Sequence, residues 1–160
     1  MSDGPSATIE IAPIGWVRAP RTVALDDNWG AMTSTIEVDK RFSLEALAGL
    51  ADFSHLEVVY QFHGVPLERI ETGARHPRNR ADWPLVGIFA QRGKARPNRL
   101  GLSRCNLVRV EDRIVTVQRL DAIDGTPVLD IKPYMVEFGP IGPISQPAWA
   151  TELMKSYYDE

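Results

Sequence analysis

Hydrophobic and polar residues alternate with a period of two in several short stretches of this chain. Such alternation is typical of β-strands that bury one face. It predicts strands over residues 33–38 and 56–62, and an edge strand over 8–17 that is interrupted at Pro13. The apolar run at 85–90 predicts a fully buried strand, and a further strand should follow the turn at Asp124-Gly125.

The clearest hairpin predicted from the pattern joins residues 107–110 to residues 114–117 through a three-residue turn. Helical signals are few. Ser43 is a favoured N-cap residue with an acidic first turn behind it, which predicts a short helix there. Residues 148–158 are the second helical candidate, and the Pro- and Gly-rich stretch 139–147 before them should be an extended arm.

Short strands at roughly ten-residue spacing, with one convincing helix, favour a mostly-β barrel or sandwich. The 160 residues suit one domain. Residues 1–7 are expected to be an irregular start, and the aperiodic stretch 18–32 is a loop long enough to carry function.

Composition supports a globular chain, with 44% hydrophobic and 24% charged residues. The first residues have neither a basic nor an apolar signal-peptide region, and no apolar run approaches the ~18 residues of a membrane span. One cysteine, Cys105, cannot form an internal disulfide. We therefore expect a soluble cytoplasmic domain without a membrane partner.

The net charge of -3 conceals a strong segregation of charge. Residues 69–119 contain eleven Arg and one Lys against four acidic residues, which gives this segment +8 and the remainder -11. Arginine is favoured where phosphate or carboxylate groups are bound bidentately. The segregation therefore keeps a nucleic-acid partner open, although the overall charge argues against one.

Several common kinds of site are missing from the sequence. The three histidines are scattered and the single cysteine has no partner, so we expect no metal centre. No Gly-x-Gly-x-x-Gly, Walker or Gly-x-Ser-x-Gly motif occurs, which disfavours Rossmann, P-loop and α/β-hydrolase sites.

Three segments carry candidate chemistry, and each also has a purely structural interpretation. Residues 92–101 could bind an anion or a polar cofactor, or form an ordinary solvated loop. Residues 75–80, Arg-His-Pro-Arg-Asn-Arg, could bind phosphates, with Trp83 stacking on a base, or be a surface loop beside a core tryptophan.

The third segment, residues 120–134, places acidic side chains near a lysine and a tyrosine, a combination that can position a nucleophile and accept its proton. Asp124 is a usual turn residue, whereas Asp121 and Asp130 have apolar neighbours and would need partners if buried. His63 is either catalytic or a structural donor at a strand end.

The order of these segments resembles the TsaA-like family, also called TrmO-type, over about residues 8–138. The motifs that carry the resemblance are Phe53-Ser-His-Leu, Phe62-His63, Gly87-Ile-Phe-Ala-Gln-Arg92, Arg96-Pro-Asn-Arg-Leu-Gly101 and Leu120-Asp-Ala-Ile-Asp-Gly-Thr-Pro-Val-Leu-Asp-Ile-Lys-Pro-Tyr134. The resemblance implies a single-sheet β-barrel without a Rossmann fold, which binds S-adenosylmethionine (SAM) and works as a homodimer. Residues 139–160 would be a C-terminal arm and short helix.

The activity implied by the resemblance is methylation of N6 of threonylcarbamoyl-adenosine next to the tRNA anticodon. Family SAM contacts, together with Phe89 as an apolar cover, would fall on Asp27, Asn28, Trp29, His63, Gly64, Phe89, Arg92, Leu102, Gln118, Arg119, Leu120 and Asp121. Asp130, assisted by Lys132 and Tyr134, is the candidate for accepting the N6 proton or orienting the base. The candidate tRNA contacts are Arg75, Arg78, Arg96, Asn98 and Arg99.

Two departures from the family pattern bear on the substrate. The family loop usually reads Arg-Pro-Asn-Pro, and here Arg99 takes the place of the second proline, which removes a φ restraint and adds a cation. Just before this loop, the sequence is Ala-Gln-Arg-Gly where Ala-Thr-Arg-Ser is typical. The chain also lacks the C-terminal extension of longer members, so we expect weaker tRNA binding or a different substrate. Two alternatives therefore stay open, a methyltransferase of a small molecule and a SAM- or RNA-binding module without catalysis.

Overall fold

Six antiparallel β-strands close into a barrel in the order β1-β2-β7-β6-β3-β8, and a separate two-stranded ladder pairs β4 with β5. This computed structural model describes residues 7–160, so the predicted irregular start lies almost entirely outside the described residues. The strands are β1 Gly15–Arg18, β2 Thr33–Val38, β3 His55–Gln61, β4 Ala74–Arg75, β5 Val86–Gly87, β6 Leu100–Glu111, β7 Ile114–Gln118 and β8 Pro127–Pro133.

One α-helix, α1, spans Ala148–Leu153 within the described residues, and the other helical turns there are short 3₁₀ helices. These 3₁₀ helices are Leu44–Leu47, Leu50–Asp52, Leu67–Arg69, Pro77–Asn79, Ile88–Ala90, Pro97–Arg99 and Val136–Phe138. The predicted fold class, a mostly-β single-sheet barrel with short helices, is confirmed. No helix in residues 7–160 has the length and apolar character needed to cross a bilayer.

The barrel interior is filled by the inward-facing residues of each strand. On β3, Leu56, Val58 and Tyr60 are buried, whereas Glu57 and Val59 between them face outward. Each fully buried aliphatic side chain of this kind contributes roughly 1.5–3 kcal/mol relative to exposure. The rest of the core is Val17, Ile36, Val38, Cys105, Val115, Val117, Leu120, Ala122 and Val128.

The antiparallel order places the long connections at one end of the barrel. Strands β1, β3 and β7 end there, and β2, β6 and β8 begin there. We call this end the upper mouth, defined by residues 19–32, 62–99 and 119–126. The opposite end, the lower mouth, carries residues 39–54 and the β6–β7 turn. The basic segment found in the sequence therefore lies largely at the upper mouth.

Several predicted strands are confirmed and two are wrong. Strand β2 has the predicted bounds, and the hairpin of residues 107–117 forms the far end of β6 and β7. Residues 8–14 are not a strand, because Pro13 has no N–H for a ladder and Ile9 is 80% exposed. The stretch 85–90 is not a buried strand either, since only Val86–Gly87 pair and Phe89 is 79% exposed.

The predicted helices are shorter than expected. The segment after Ser43 forms two 3₁₀ turns, and the Ser43 side chain makes no capping hydrogen bond. Helix α1 ends at Leu153 rather than Tyr158. The chain then turns back to the upper mouth, where residues 156–159, here called the C-terminal clasp, bond to residues 28–30.

The clasp is held by three backbone hydrogen bonds. The N–H groups of Asn28, Trp29 and Gly30 donate to the carbonyl oxygens of Ser156, Tyr157 and Asp159 at 3.1, 2.8 and 3.3 Å. A Cβ at position 30 would collide with the Tyr158 carbonyl oxygen, so this approach requires glycine. The clasp thus fixes one of the predicted SAM-binding loops.

Candidate functional site

The carboxylate of Asp121 accepts three hydroxyl hydrogen bonds at the upper mouth. Tyr60 donates to Oδ1 at 3.0 Å, Ser103 donates to the same oxygen, and Tyr157 of the clasp donates to Oδ2. The donors come from β3, β6 and the clasp, whereas Asp121 follows β7. The carboxylate therefore ties together elements that are far apart in the sequence.

Burial raises the pKa of Asp121 above its ordinary value, while the hydrogen bonds from Tyr157 and Tyr60 and the charge of Arg92 oppose that rise. Burial, and then the negative charge of Asp121, raise the pKa of Tyr157 and of Tyr60. Both phenols are consequently donors at neutral pH, and the carboxylate is held in one orientation.

Glycine at position 101 allows the Tyr60 ring to lie against β6. A Cβ there would stand 2.5 Å from ring carbons of Tyr60, closer than van der Waals contact permits. Gly101 pairs with Tyr60 across the β3–β6 ladder, so the register itself sets this contact. The tyrosine is 1% exposed and its hydroxyl reaches the mouth from inside the barrel.

In addition to the clasp, two arginines, Arg78 and Arg21, fix the predicted SAM-binding loop of residues 27–29. The Arg78 guanidinium bonds both carboxylate oxygens of Asp27 at 3.1 and 2.8 Å, and Arg21 donates to the carbonyl oxygens of Asp27 and Asn28. Arg21 also lies 4.1 Å over the Trp29 ring. The indole is 3% exposed, and its N–H has no partner among the described residues.

Five other predicted SAM contacts lie in the 62–99 connection or near the start of β6. Arg92 donates to the Leu102 carbonyl oxygen at 2.6 Å, and its charge acts on Asp121. Leu102 is 46% exposed and faces outward from β6. His63 and Gly64 are exposed where the chain leaves β3. Phe89 is also exposed, within the 62–99 connection.

The remaining predicted SAM contacts, residues 118–121, leave β7 at the same mouth. Gln118 donates to the Thr33 hydroxyl at 3.3 Å. Arg119 has a φ of 68° and lies 4.0 Å over the Tyr158 ring of the clasp. Leu120 is fully buried, so only its backbone is available to a ligand. Ten of the twelve predicted SAM contacts therefore lie at the upper mouth, and the other two, Leu102 and Gln118, lie on the strand ends next to it.

The predicted catalytic residues lie on the outer face of the barrel rather than inside it. Asp130 pairs with Val59 on β3, and Val59 pairs with Leu102 on β6, so the three residues form one transverse row of outward side chains. Two strand spacings of about 4.8 Å separate Asp130 from Leu102 along this row. The predicted proton acceptor and the predicted SAM contact thus share one surface.

Lys132 on β8 and Tyr134 just after its end lie further toward the lower mouth. Lys132 Nζ lies 2.8 Å from Asp130 Oδ2, and this contact raises the pKa of the lysine. Arg104 stacks 4.0 Å over the Tyr134 ring and bonds Glu57. Asp130 therefore has a cationic partner in Lys132. Tyr134 lies further from the upper mouth than either residue.

All five predicted tRNA contacts lie at the upper mouth, but three of the arginines also hold loops. Arg78 is paired with Asp27, Arg96 donates to the Gln91 carbonyl oxygen at 2.7 Å, and Arg99 donates to the Val65 carbonyl oxygen at 2.9 Å. Asn98 is exposed on its loop with a φ of 62°. Arg75 lines a cavity beside the upper mouth.

Sequence reasoning missed Tyr60, Ser103, Tyr157 and Arg21 as members of the site. The period-two pattern could have indicated that Tyr60 and Ser103 face inward near Asp121, whereas no local pattern indicates the contact of Tyr157 over 36 positions. The structural interpretation of Trp83 is correct, since its ring is 4% exposed and its N–H donates to Glu152. Asp124 likewise acts in a turn and accepts the Ala19 N–H.

No group of three or more His, Cys, Asp or Glu side chains within residues 7–160 is placed to hold a metal ion. Cys105 is fully buried, and burial, together with the charge of Asp121, raises the pKa of its thiol to about 12. A thiol in this state is not a nucleophile at neutral pH. The chemistry available at the mouth is therefore that of carboxylates, guanidinium groups, phenols and backbone amides.

The fold is that of a small closed antiparallel β-barrel whose long connections meet at one mouth. Residues 18–139 match the family model described as the tRNA-methyltransferase O N-terminal domain. The chain belongs to this family, which confirms the resemblance seen in the sequence.

Relatives of this chain carry names in keeping with the family. A probable S-adenosyl-L-methionine-binding protein of Methanothermobacter thermautotrophicus is 34% identical over 138 residues, which cover 84% of this chain and 96% of the relative. The corresponding protein of Pyrococcus abyssi is 38% identical over 65% of this chain and 53% of its own length. A tRNA (adenine(37)-N6)-methyltransferase of Mus musculus is 38% identical over 58% of this chain and 21% of its length.

A crystal structure of TrmO from Pseudomonas aeruginosa superimposes with a TM-score of 0.70 and 28% sequence identity. The match covers 87% of this chain and 62% of the TrmO chain. Among the sequence relatives, the chain spans about half the length of the Pyrococcus protein and about a fifth of the mouse enzyme.

Proposed function

We propose that this protein is a SAM-dependent tRNA methyltransferase that transfers a methyl group to N6 of threonylcarbamoyl-adenosine next to the anticodon. The observation that carries the proposal is that ten of the twelve candidate cofactor contacts lie at the upper mouth and the other two, Leu102 and Gln118, lie on the strand ends next to it. The family match and the names of the relatives support the class of activity. The basic 69–119 segment at the same mouth supports an anionic, RNA substrate.

The residues present at the mouth fit SAM. Its carboxylate can be taken by Arg92, which keeps free N–H groups after donating to Leu102, and its amino group by the Asp121 carboxylate. The buried Trp29 N–H, which has no partner in residues 7–160, offers a donor to the ligand, and exposed Phe89 offers an apolar cover. When bound, SAM supplies the methyl group from its sulfonium centre.

The protein would contribute mainly by positioning. The loop 27–29 is fixed by Arg21, Arg78 and the clasp, and Asp121 by three hydroxyl groups, so little reorganisation is needed on binding. Correct alignment of two reactants for an in-line displacement is worth up to roughly 7–11 kcal/mol of the barrier. Gln118, Arg119 and Leu120 would hold the ligand through backbone groups at the end of β7.

Asp130 is the proposed acceptor of the N6 proton. It lies in the outward row that contains Leu102, so an acceptor base on the outer face would meet both residues. Lys132, whose Nζ lies 2.8 Å from Asp130 Oδ2, would hold the carboxylate in place, and Tyr134 would support the base from further toward the lower mouth. His63 and Gly64 would border the cofactor on the other side.

The proposed tRNA contacts are Arg75, Arg78, Arg96, Asn98 and Arg99. Arginines that donate to one carbonyl or carboxylate retain further N–H groups for phosphate oxygens. Binding through such contacts weakens steeply as salt concentration rises. The same side chains would therefore shape the mouth and hold the RNA over it.

We also propose that the protein acts as a homodimer in the cytoplasm, where its tRNA substrate resides. Val136 and Phe138 are each more than 75% exposed, as expected of apolar side chains that a second copy covers. Residues 8–138 would form the barrel domain and residues 139–160 an arm that returns to the upper mouth through the clasp.

The proposal is tested by mass spectrometry of tRNA nucleosides from a strain that lacks this protein and has no second member of the family. Methylated threonylcarbamoyl-adenosine should disappear and return when the gene is restored. Its persistence would contradict the proposal. A protein that binds SAM and turns it over without tRNA would be a small-molecule methyltransferase, and one that binds SAM without turnover would be a binding module.

A further inference from the structure

A second cavity, of about 520 Å³, opens beside the upper mouth. Three basic side chains and one amide line it, namely Arg69, Arg75, Lys94 and Asn79. They come from three separate segments, the turn at 67–69, the stretch 74–79 and the loop after Arg92. Its remaining wall is formed in part by Gly64, which is one of the proposed SAM contacts.

The positive charges that line this cavity have no acidic partner in the described part of the chain. Within residues 7–160, no carboxylate oxygen lies within 4.0 Å of a side-chain nitrogen of Arg69, Arg75 or Lys94, whereas the nearby Arg78 and Arg80 are paired with acids. The Glu71 carboxylate, which is close in sequence, accepts the Gly73 N–H. The cavity is therefore positively charged, and its arginine and lysine N–H groups are available to a ligand.

Arg75 is the member of this set that is most firmly placed. Its backbone pairs with Val86 in the β4–β5 ladder, and the Gln91 side chain donates to its carbonyl oxygen at 3.0 Å. Its Nε is buried without an acceptor among the described residues. A buried guanidinium donor without a partner is costly, and an anionic ligand would remove that cost.

Arg96 and Arg99 fix the walls of the cavity through hydrogen bonds to backbone carbonyl oxygens. Arg99 bonds the Val65 carbonyl oxygen, and Arg96 bonds the carbonyl oxygens of Gln91 and Gly93. These contacts join residues 64–66 to the loop that carries Lys94. The cavity is thus formed before a ligand enters, which favours binding because little conformational entropy is lost.

We propose that this cavity binds an anionic group of the tRNA substrate, either a backbone phosphate or the carboxylate of the threonylcarbamoyl group on the target base. A guanidinium group recognises both through the same bidentate hydrogen bonds. The volume suits a nucleotide-sized group. Since Gly64 borders both sites, the bound anion would lie next to the SAM-holding loops. The inference rests on the proposed function and assigns Arg69, Asn79 and Lys94 to the substrate.

The test compares the double variant R69A/K94A with the matched control K40A/R109A in the full chain. Both variants remove one lysine and one arginine from exposed positions, but Lys40 and Arg109 lie at the lower mouth. Two anticodon stem-loop RNAs serve as probes, one with and one without the threonylcarbamoyl group. RNA affinity, SAM affinity and methyl transfer are measured for each protein.

R69A/K94A should bind the RNA at least about tenfold more weakly, while K40A/R109A stays within about twofold of wild type and SAM affinity is unchanged. A loss confined to the modified RNA would identify the carboxylate as the ligand, and an equal loss with both RNAs would identify a phosphate. Equal affinities of the two double variants would overturn the cavity assignment. If the wild type binds RNA through the cavity but transfers no methyl group, the proposed activity fails while the cavity assignment stands.

Discussion

The hydroxyl group of Tyr157 donates a hydrogen bond to the Asp121 carboxylate, which joins the C-terminal clasp to the loop after β7. Tyr60 holds the other oxygen of the same carboxylate from inside the barrel. The clasp also accepts three backbone N–H groups of the 28–30 loop. Two predicted SAM-binding segments, 27–29 and 118–121, are therefore oriented by one C-terminal segment.

Removing the Tyr157 hydroxyl should loosen this arrangement. We expect Tyr157→Phe to lower the free energy of unfolding in urea by about 1.5–3 kcal/mol, the range for a hydrogen bond to a charged group. Tyr134→Phe is the matched control, because the Tyr134 ring stacks on Arg104 and no hydrogen bond of its hydroxyl is found among the described residues. Equal stabilities of the two variants would show that the clasp is not held by this bond.

Because the pKa of Asp121 is raised in the folded protein, its contribution to stability increases as the pH falls. Between the ordinary carboxyl pKa and the higher folded value, the folded protein binds a proton that the unfolded chain has released. The contribution of Asp121 to stability therefore grows as the pH falls through the folded pKa, and is complete below the unfolded value of about 3.9. The Tm of the wild type minus that of Asp121→Asn should rise from pH 7 to pH 4. A difference that falls over this interval would reverse the assigned direction.

Position 99 should not tolerate the proline that the family pattern carries there. Arg99 has a φ of 52°, its N–H donates to the Arg96 carbonyl oxygen, and its side chain bonds Val65. Proline requires a φ near -65° and has no N–H. Arg99→Pro should therefore destabilise the protein by more than about 1 kcal/mol, and by more than Arg99→Ala, in urea unfolding. A proline variant as stable as wild type would mean that this loop adopts the family conformation.

The role of Asp130 is tested by separating binding from chemistry. Asp130→Ala should slow methyl transfer about 10²- to 10⁴-fold, the usual contribution of a general base, and leave SAM affinity within about twofold. The exposed Asp52 at the lower mouth supplies the control variant Asp52→Ala. Single-turnover rates and SAM titrations give both quantities. Unchanged methylation by Asp130→Ala would remove this residue from the mechanism.

The sequence pattern predicted the barrel well because its strands bury one face each. The bounds of β2 follow from buried Ser34, Ile36 and Val38 alternating with more exposed residues. The β6–β7 hairpin was located correctly, but β6 begins at Leu100 rather than at residue 107 and the turn has two residues rather than three. The stretch 85–90 has the same apolar composition, yet Leu85 is 62% exposed. Local apolarity alone therefore did not distinguish a buried strand from a surface segment.

The candidate site was only partly predictable from the sequence, because the residues that contact one another there lie far apart along the chain. Motif residues such as Asp121 and Arg92 could be chosen from the sequence, since charged groups near turns and apolar runs are visible there. Their partners are not visible, because Tyr60 and Tyr157 reach Asp121 across 61 and 36 positions. Likewise, the sequence indicated a basic patch but could not distinguish arginines that hold loops, such as Arg96, from those that line a cavity, such as Arg75.

The central claim, that the upper mouth transfers a methyl group from SAM to a modified tRNA, is tested most directly with purified protein. The full chain is incubated with SAM carrying an isotopically labelled methyl group and tRNA that contains threonylcarbamoyl-adenosine, and the nucleosides are analysed by mass spectrometry. We predict one labelled methyl group on N6 of that nucleoside and none on tRNA that lacks the threonylcarbamoyl group. Consumption of SAM without a labelled nucleoside, or label on another nucleoside, would contradict it.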